Sequence, residues 1–600
     1  MEQCALRSDR YEPSSYLAYE YPQADSRMTK LSQLKAVKTL PQLARLLSIN
    51  PATLSYALYW LPDDQKYETF TIPKKGGGRR LITAPKSHLK MIQTKLADLL
   101  LDIQIELEAA RSRTQCQLSH GFKRGSSIVT NASAHRNKRY VFNADLKDFF
   151  PSINFGRVIG FFTKDRNFSL EPKVATIIAQ IACHNNQLPQ GSPCSPVISN
   201  FIAHVLDIHL NKVARTGRCT YTRYVDDLTF STNEKEFPAS IARLVLGSSD
   251  AWAPGDGLVK HVFRSGFKLN YDKTRMQRRN SRQDATGLIV NKKVNVRNEY
   301  YKTARAKCDH LFSHGFCYSD KDKQPIPDES LEGMMSFIYH IRRLKVVSWQ
   351  DEQKSFYHLY RRFLDYRAFH GLVRPRIICE GKTDNIYLRS AMKAPSSRFP
   401  EFLDPTAKEG LTVDFFNYTD ASAIFQDLSG GTGELNKLIG NYRARLSSFE
   451  TTAHQPVIMV VDNDKGSTGL FHHLSSILKK PIGGTDAYYH VFENLYVVPV
   501  PKTGAEAAIE DLFKPALLKK TIDGRAFDRT AKSKASSGGY SKFDFATRIV
   551  KPERSTIDFS GFEPLLKAFL DVRADFSRHL SATARAATPA PSKTARRGAR

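Results

Sequence analysis

The chain has 600 residues, more than one ordinary hydrophobic core can organise, so we expect several domains. Its 89 Lys and Arg residues outnumber the 60 Asp and Glu residues and give a formal net charge of +29, which indicates a polyanionic partner without distinguishing RNA from DNA. The eight cysteines form no Cys-x-x-Cys pair and no apolar run approaches a membrane span, which argues against a cysteine-based zinc module and an integral membrane protein.

The N-terminal part of the chain is predicted to lead into a helical region and a basic loop. Residues 1–30 are polar and tyrosine-rich, and we interpret them as a loose extension. Leu31–Leu47 and Pro51–Trp60 carry apolar residues at helical spacing. Residues 72–82 then form a glycine-tipped loop flanked by cations, which suits the binding of a triphosphate but also fits an ordinary basic turn.

Acidic residues end two separate β-rich segments. Asp145 ends the first, and Tyr224–Asp227 reads as a hairpin with two adjacent carboxylates at its tip. Adjacent like charges are costly to desolvate unless a cation neutralises them, and a hard divalent ion such as Mg²⁺ is the natural partner. Phosphoryl transfer through two metals needs carboxylates from separate strands. Asp145 and Asp226 could supply them, with one metal activating a primer hydroxyl and the other stabilising the leaving pyrophosphate.

The order of motifs then becomes specific. Between the acids lies the turn Leu188–Pro196, followed by a predicted helix over Val197–Arg215. A basic loop, an Asp-bearing strand, a Pro-Gln-Gly turn and a Tyr-Val-Asp-Asp hairpin in this order resemble reverse transcriptases. Gly266–Thr274 resembles the next motif of that family. The resemblance covers roughly residues 35–370.

Two further motifs resemble the retron type of reverse transcriptase. Asn131–His135 matches the Asn-Ala-x-x-His signature of that group, and Ala285–Gly287 stands in the place of its Val-Thr-Gly signature with Ala as the first residue. The resemblance implies a right-hand polymerase with fingers and palm over 31–295 and a thumb over 296–370. The segment Ser248–Gly257 is predicted to be a loop inserted in the palm.

The resemblance also implies roles for individual residues. Asp145 and Asp226 are expected to be catalytic metal ligands, with Asp227 either a third ligand or a supporting acid. Phe150 matches the position that excludes a ribose 2′-hydroxyl, although a core aromatic fits equally well. Lys273 could protonate the leaving pyrophosphate or pair with a phosphate. The predicted nucleotide-binding residues are Arg79, Arg80, Phe150, Gln190, Gly191 and Lys273.

The expected RNA contacts lie in the retron signature and in the thumb. The predicted RNA-binding residues are Asn131, His135, Lys302 and Arg305. His135 fits a role in holding the local fold equally well. The start of the thumb is rich in Lys, Arg and Tyr, and such a face beside a polymerase palm favours duplex binding. Leu331–Val347 and Gln353–Phe369 are predicted helices.

A second acidic pattern begins after residue 374. An apolar strand within Pro375–Asp384 ends in Glu380 and a Gly turn, and Pro456–Val461 is a buried-strand run that ends in Asp462 and Asp464. Acids at the ends of strands lie where α/β sheets bind ligands. The pair of patterns resembles the Toprim domain, which implies that all three acids are catalytic and bind Mg²⁺ or Mn²⁺.

The remaining C-terminal predictions are less specific. Glu510 and Asp511 could add a metal ligand, or they could be ordinary acids at a helix N-terminus. We assign residues 374–580 to a Toprim-like nuclease domain with C-terminal elements. Within it, 520–560 is predicted to be mostly loop, and 582–600 is predicted to be a disordered basic tail.

The sequence therefore predicts a multidomain α/β protein, a right-hand polymerase followed by a Toprim-like domain. The resemblance implies a retron-type reverse transcriptase that uses dNTPs and a structured non-coding RNA. It further implies a branched RNA-linked cDNA, a fused metal-dependent nuclease and anti-phage defence in a bacterial cytoplasm. The alternatives are an intron-type or orphan reverse transcriptase, or one with a non-catalytic Toprim scaffold. A homo-oligomer is compatible with the sequence.

Overall fold

The computed structural model describes residues 29–73, 77–110, 118–248, 250–343, 353–395, 397–502, 504, 506–530 and 539–587. The chain divides into two compact units, residues 1–297 and 298–600. Predictions made for residues 1–28, for 74–76 of the basic loop and for 588–600 of the tail lie outside the described residues.

The first unit combines helices with short sheets. Its described helices are Lys30–Ala36, Leu40–Leu46, Pro51–Tyr59, Asp63–Lys66, Ser87–Ala109, Ile128–Ala134, Phe155–Lys164, Pro172–Ala182, Ser195–Thr216 and Asp256–Arg264. Its described strands are β1 Tyr67–Pro73, β2 Arg79–Pro85, β3 Tyr140–Lys147, β4 Thr220–Tyr224, β5 Asp227–Thr232, β6 Ala242–Leu244, β7 Trp252–Pro254, β8 Lys268–Arg278, β9 Asp284–Ala285 and β10 Leu288–Ile289. Strands β1 and β2 pair antiparallel in the region predicted to be the fingers, and we call them the fingers hairpin.

A four-stranded antiparallel sheet lies at the centre of this unit, in the order β4-β5-β3-β8. Its neighbour, the helix Ser195–Thr216, begins with a proline in its first turn and buries apolar residues at helical spacing. Leu206 and Leu210 of this helix join Phe142 of β3 and Phe230 of β5 in one core. The sheet therefore rests on a buried helix, which leaves its acidic strand ends fixed relative to the core.

Two sequence predictions for this unit need correction. The helix expected over Leu31–Leu47 is two helices, because the chain is extended at Val37 and a new helix starts after Thr39. The loop expected over Ser248–Gly257 contains a strand, β7, that pairs with β6. The ring of Trp252 packs edge-on against Phe237 at 6.1 Å between centroids, and this contact is invisible to local turn propensity.

The second unit contains the helices of the region predicted to be the thumb, here called the thumb helices, and an α/β sheet. Its described helices, counting only α-helices, are Asn298–His314, Glu329–Arg342, Lys354–Asp365, Asp384–Lys393, Thr432–Leu446, Thr468–Leu478, Pro515–Leu518, Lys542–Asp544 and Glu563–Ala587. Its described strands are β11 Cys317–Tyr318, β12 Pro325–Ile326, β13 Arg376–Cys379, β14 Asp414–Phe415, β15 Val457–Val461, β16 Tyr489–Phe492, β17 Leu495–Pro499, β18 Ala526–Phe527 and β19 Gly539–Tyr540.

The main sheet of this unit has five strands in the order β14-β13-β15-β17-β16. All neighbouring pairs are parallel except β16 with β17 at the edge. Residues of β15 alternate between two apolar clusters, Ile458 and Val460 on one face and Met459 and Val461 on the other. Burial on both faces explains the continuous apolar run, because a parallel sheet is covered by helices on each side.

The thumb helices pack directly on this α/β domain. Phe356 and Tyr360 lie 6.3 and 4.8 Å from Phe425 between ring centroids. Asp365 accepts hydrogen bonds from Gln426 at 3.0 Å and from Arg445 at 3.3 Å. The thumb and the sheet therefore share buried contacts within one unit.

The C-terminal region is more ordered than expected. The predicted loop 520–560 contains β18, β19, the short helix Lys542–Asp544 and a π-helical turn, Phe545–Val550, whose apolar side chains are buried. The helix Glu563–Ala587 continues past residue 582, where disorder was predicted to start. In the described part of the chain, no helix has the length and apolarity needed to cross a membrane.

Candidate active sites

The Tyr-Val-Asp-Asp segment forms a tight hairpin between β4 and β5. Tyr224 pairs with Asp227, so the loop consists of Val225 and Asp226. Val225 has φ +61°, a left-handed conformation that is strained for a β-branched residue. The backbone of Gly121 passes so close that a Cβ there would lie 2.8 Å from the Val225 nitrogen. This strain fixes the direction in which the two acids project.

Asp145 of β3 lies beside the hairpin. It pairs in register with Asp227 on one side and with Asn270 of β8 on the other. Its Oδ2 accepts a hydrogen bond from Lys273 Nζ at 2.9 Å, and its Oδ1 accepts one from Asn270 Nδ2 at 3.3 Å. The structure thus brings Asp145, Asp227 and Lys273 together, and it adds Asn270, which the sequence motif did not identify as functional.

The three carboxylates influence one another electrostatically. Desolvation and the neighbouring acids Asp226 and Asp145 raise the pKa of Asp227 to about 7, although its surface remains exposed. Desolvation and Asp145 also raise the pKa of Asp226, while Arg80 acts in the opposite direction. The hydrogen bond to Asp145 raises the pKa of Lys273. Three carboxylates thus lie close enough to repel one another, and their all-oxygen donor set fits a hard divalent cation.

A buried ion pair supports the hairpin from below. Arg223 of β4 is fully buried, and its Nε and Nη2 each lie 2.8 Å from one oxygen of Asp207. Its Nη1 donates to the carbonyl of Val225 at 2.9 Å. Tyr221 donates a further hydrogen bond to Asp207 at 2.8 Å. The sequence analysis did not identify this ion pair. It could have been found from Asp207, an acid on the apolar face of the helix Ser195–Thr216.

The fingers hairpin is joined to the Pro-Gln-Gly turn. The backbone N–H of Thr83 in β2 donates to the carbonyl of Gln190 at 2.8 Å. Gly191 has φ +124°, and a Cβ at this position would lie 2.9 Å from the Thr83 carbonyl oxygen. Arg80 lies on the same β-hairpin and is exposed, as is Arg79. The predicted nucleotide-binding residues of β2 and of the turn are therefore held together by backbone contacts.

Phe150 is half-buried, which fits both interpretations offered by the sequence. Its ring lies 5.4 Å from that of Phe149, which stacks in turn on Phe267. Asp148, between the catalytic strand and these rings, is exposed and has φ +48°. The ring of Phe150 thus packs on one core aromatic, Phe149, and is partly exposed. Phe150 follows Asp145 by five residues in the sequence.

The prediction that Asn131 and His135 contact RNA needs correction. Both side chains are fully buried. His135 bridges the hydroxyls of Ser231 and Thr222, each at 2.7 Å, and Asn131 accepts from Thr222 at 2.6 Å. Burial lowers the pKa of His135 to about 3, so the ring is neutral. These residues hold the helix Ile128–Ala134 against β4 and β5 rather than contacting a ligand.

The other motifs of the first half occupy different environments. The turn after β9 contacts the same signature helix, because Thr286 Oγ1 donates to the carbonyl of Ile128 at 3.2 Å. Lys302 and Arg305, on the helix Asn298–His314, are exposed. Arg305 lies 3.8 Å from Asp309 one helical turn away. These two cations remain available for a polyanion, unlike the buried signature residues.

A second acidic cluster lies at the carboxyl ends of β13 and β15, in the second unit. Glu380 follows β13 and Asp462 follows β15, its parallel neighbour. The N–H of Asp462 lies 3.3 Å from Glu380 Oε2, and the Thr432 hydroxyl donates to Glu380 Oε1 at 2.6 Å. Asp462 Oδ1 accepts from the N–H of Ile509 at 3.0 Å. The structure therefore brings two of the three predicted acids together.

Two further acids complete this cluster. Asp384 is 5% exposed and accepts from the N–H of Gly381 at 2.7 Å, and Glu510 is fully buried beside Lys542, 3.0 Å away. Desolvation, followed by Asp384 and Glu380, raises the pKa of Asp462 to about 8. Desolvation also raises the pKa of Asp384 to about 6, with Glu510 contributing. Asp384 was not predicted, although it stands four residues after Glu380 in the same motif.

Asp464 and Asp511 have local structural partners. Asp464 accepts from the N–H of Ser467 at 3.2 Å and thereby starts a 3₁₀ turn. Asp511 accepts from the N–H of Ala508 at 2.9 Å and pairs with Arg529 at 2.5 Å. Of the two acids left open by the sequence, Glu510 joins the cluster and Asp511 caps a turn. The oxygen donors of the cluster fit Mg²⁺ or Mn²⁺.

Part of the chain is similar to known proteins. Residues 72–295 match the family described as reverse transcriptase (RNA-dependent DNA polymerase). The retron Ec86 reverse transcriptase of Escherichia coli is 29% identical, over 51% of this chain and 86% of the relative. The retron Mx65 reverse transcriptase of Myxococcus xanthus is 31% identical, over 45% of this chain and 62% of the relative.

Structural comparison adds little to this assignment. A telomerase from Candida albicans, solved with a fragment of telomeric RNA, is 10% identical over 51% of this chain and 61% of that chain, with a TM-score of 0.27. A score this low carries no argument about fold or function. Residues 72–295 therefore match the reverse transcriptase family, and about half of the chain is similar in sequence to retron reverse transcriptases.

Proposed function

We propose that the chain is a retron-type RNA-directed DNA polymerase that copies a structured non-coding RNA into cDNA. The observation that supports this most is a group of three acids: Asp145 and Asp227 on adjacent strands of an antiparallel sheet, and Asp226 in the hairpin loop beside them. Relatives named as retron reverse transcriptases support the retron type. The acids would hold two Mg²⁺ ions, which supply activation of the primer hydroxyl and neutralisation of phosphate charge.

The protein side chains have separable tasks in this reaction. A primer hydroxyl attacks the α-phosphorus of a dNTP, a phosphodiester bond forms, and pyrophosphate leaves. Lys273, next to Asp145, is placed to donate to phosphate oxygens. Arg79 and Arg80 would bind the triphosphate, and Phe150 would press against the sugar where a 2′-hydroxyl would lie. Priming from an internal RNA 2′-hydroxyl would leave the cDNA joined to RNA through a branch.

A second activity, metal-dependent cleavage of nucleic acid, is favoured by the cluster around Glu380 and Asp462. Glu380 and Asp462 come from adjacent parallel strands, and desolvation together with the neighbouring acids raises the pKa values of Asp462 and Asp384, as expected where acids crowd into a partly buried site. The cluster would hold Mg²⁺ or Mn²⁺ through Glu380 and Asp462, the two predicted acids that lie together, and Asp464 stays a predicted third ligand. In this proposal the domain is a Toprim-type nuclease, and the protein acts in anti-phage defence in a bacterial cytoplasm.

Paired substitutions test both activities in the full-length protein. Asp226→Asn should lower cDNA synthesis by more than about 100-fold, beyond the range typical of residues that only orient a metal ligand, and should leave nuclease activity unchanged. Glu380→Ala should do the reverse. The matched controls are Asp148→Asn, an exposed acid close to Asp145, and Glu401→Ala, an exposed acid in the second unit.

Each half of the proposal has its own contradicting result. Near-normal extension of a primed RNA template by Asp226→Asn would rule out the polymerase assignment. If the wild-type protein, with or without its cDNA, cleaves neither RNA nor DNA in Mg²⁺ or Mn²⁺, the second domain is a scaffold and only the polymerase remains. Sequencing the nucleic acid that co-purifies with the protein tests the retron type, because a structured RNA joined to cDNA is expected.

A further inference from the structure

Three side chains with metal-binding chemistry meet at the edge of the five-stranded sheet. His490 lies on β16, the edge strand, while Asp575 and His579 lie one turn apart on the helix Glu563–Ala587. One ligand atom from each of the three residues lies within 4.8 Å of the others. These residues share nothing with the acids of the two candidate active sites.

The spacing within this group suits a tetrahedral ion. His579 Nε2 lies 3.3 Å from Oδ2 of Asp575. In a tetrahedral zinc site with bonds of about 2.0–2.1 Å, neighbouring ligand atoms are about 3.4 Å apart. The pair on the helix is thus already at ligand spacing, and a small movement of His490 would close the site.

Hydrogen bonds with neighbouring groups orient His490 and Asp575, as is common for residues that bind metals. His490 Nε2 lies 3.1 Å from the carbonyl oxygen of Glu493. Because a carbonyl only accepts, Nε2 carries the proton and Nδ1 has the lone pair that a metal requires. The buried Tyr496 donates to Asp575 Oδ2 at 3.0 Å, and its ring stacks on His490 at 4.6 Å. Both ring and carboxylate are therefore held in place from the protein side.

A simpler interpretation is an ion pair on the helix surface. Arg578 contacts Oδ1 of Asp575 at 3.0 Å, and a protonated His579 would pair with Oδ2. Such exposed pairs contribute little to stability and need no residue from another element. His490 approaches from the sheet, and its ring centroid lies 4.7 Å from that of His579. An ion pair on the helix does not explain why His490 lies there. Two protonated imidazoles at this distance would repel each other, whereas one shared cation would hold both.

We propose that His490, Asp575 and His579 bind one Zn²⁺ ion, with water as the fourth ligand, and that the ion ties the C-terminal helix to the edge strand. Two imidazole nitrogens and one carboxylate favour Zn²⁺ over Mg²⁺, which prefers oxygen alone. The acidic clusters have the opposite preference, so the two kinds of site can be filled selectively.

Titration of the metal-free, full-length protein tests the proposal. With excess Mg²⁺ present to fill the oxygen-rich sites, the wild type should bind one equivalent of Zn²⁺ and show a higher Tm. Replacing Zn²⁺ with Co²⁺ should give the strong visible absorption of a four-coordinate site. His490→Ala and His579→Ala should each lose the bound equivalent, the absorption and the gain in Tm.

The controls separate this site from non-specific binding. His454→Ala removes an exposed histidine of the same unit outside the cluster and should bind Zn²⁺ like the wild type. His579 is itself exposed, so its substitution removes no core contact, and circular dichroism should confirm an unchanged fold. The proposal is overturned if the wild type binds no Zn²⁺ under these conditions. It is equally overturned if folded His579→Ala and His490→Ala retain the full equivalent.

Discussion

The two acidic centres of this protein bring carboxylates together by different arrangements of strands. In the first unit, the acids lie on antiparallel strands and at the tip of a strained hairpin. In the second unit, Glu380 and Asp462 follow parallel strands whose carboxyl ends lie side by side. Both centres join acids that lie 82 residues apart in the chain, Asp145 with Asp227 and Glu380 with Asp462, but the first also takes two adjacent acids from one hairpin.

The means of support differ as well. Below the hairpin, a single buried ion pair between Arg223 and Asp207 holds the loop carbonyl of Val225. In the second centre, Glu380 accepts a hydrogen bond from the Thr432 hydroxyl, and Asp462 accepts one from the backbone N–H of Ile509. We therefore expect the first centre to lose its activity when the Arg223–Asp207 pair is broken. The second centre should lose only part of its activity when one of its hydrogen bonds is removed.

The largest effect is expected from Asp207→Asn. The substitution leaves the Arg223 guanidinium buried without a counter-charge, so the free energy of unfolding of the first unit should fall by about 3–5 kcal/mol. Denaturant unfolding followed by probes of each unit measures this, and cDNA synthesis should be lost with it. Asp256→Asn breaks the exposed pair with Arg243 and should cost less than about 1 kcal/mol. Equal effects of the two substitutions would show that the buried pair is no brace.

Thr432→Val should have a smaller effect on the second centre. It removes the hydroxyl that donates to Glu380 at 2.6 Å while keeping the shape of the side chain. Loss of a group that orients a metal ligand typically lowers affinity or activity about 10–100-fold. Nuclease activity measured against Mn²⁺ concentration should shift accordingly, and Thr432→Ser should restore it. An unchanged metal dependence would place the hydroxyl outside the working site.

Acid should destabilise the first unit through His135. Its pKa is about 3 when folded and 6.5 as a free side chain, so between these values the unfolded chain binds a proton that the folded chain does not. The stability contributed by the neutral ring is present above pH 6.5 and is lost as the pH falls, by about 1.4 kcal/mol per pH unit. Comparing unfolding at pH 7 and pH 5 for the wild type and His135→Gln measures this slope. The variant should show the weaker pH dependence, and His454→Gln should match the wild type.

The smallest effect is expected at Phe150. Phe150→Ala should raise ribonucleotide incorporation relative to deoxynucleotide incorporation by about tenfold, equivalent to about 1.4 kcal/mol, because the ring no longer blocks a 2′-hydroxyl. Single-nucleotide extension with dNTPs and rNTPs gives the ratio. Unchanged discrimination together with a lower Tm would identify the ring as a core aromatic supported by Phe149.

Local patterns were sufficient where a function resides in contiguous residues. The hairpin at Tyr224–Asp227 and the helix predicted over Val197–Arg215 correspond to elements of the structure, since turn residues and apolar spacing act over a few positions. The same approach failed for Ser248–Gly257 and for 520–560. In these segments the chain forms a strand and a helical turn because Trp252 packs on Phe237 and Phe545 packs on Phe527.

The sequence by itself determined the chemical inventory: two sets of acids at strand ends, a basic surplus, and an order of motifs typical of a reverse transcriptase. Tertiary structure alone decided which side chains converge. It buried Asn131 and His135 as braces, brought Asp384 and Glu510 to Glu380, and paired Arg223 with Asp207. The physical reason is that burial and pairing depend on contacts between residues far apart in the chain. A motif specifies the types of residue present, and packing determines whether each one faces a ligand or the core.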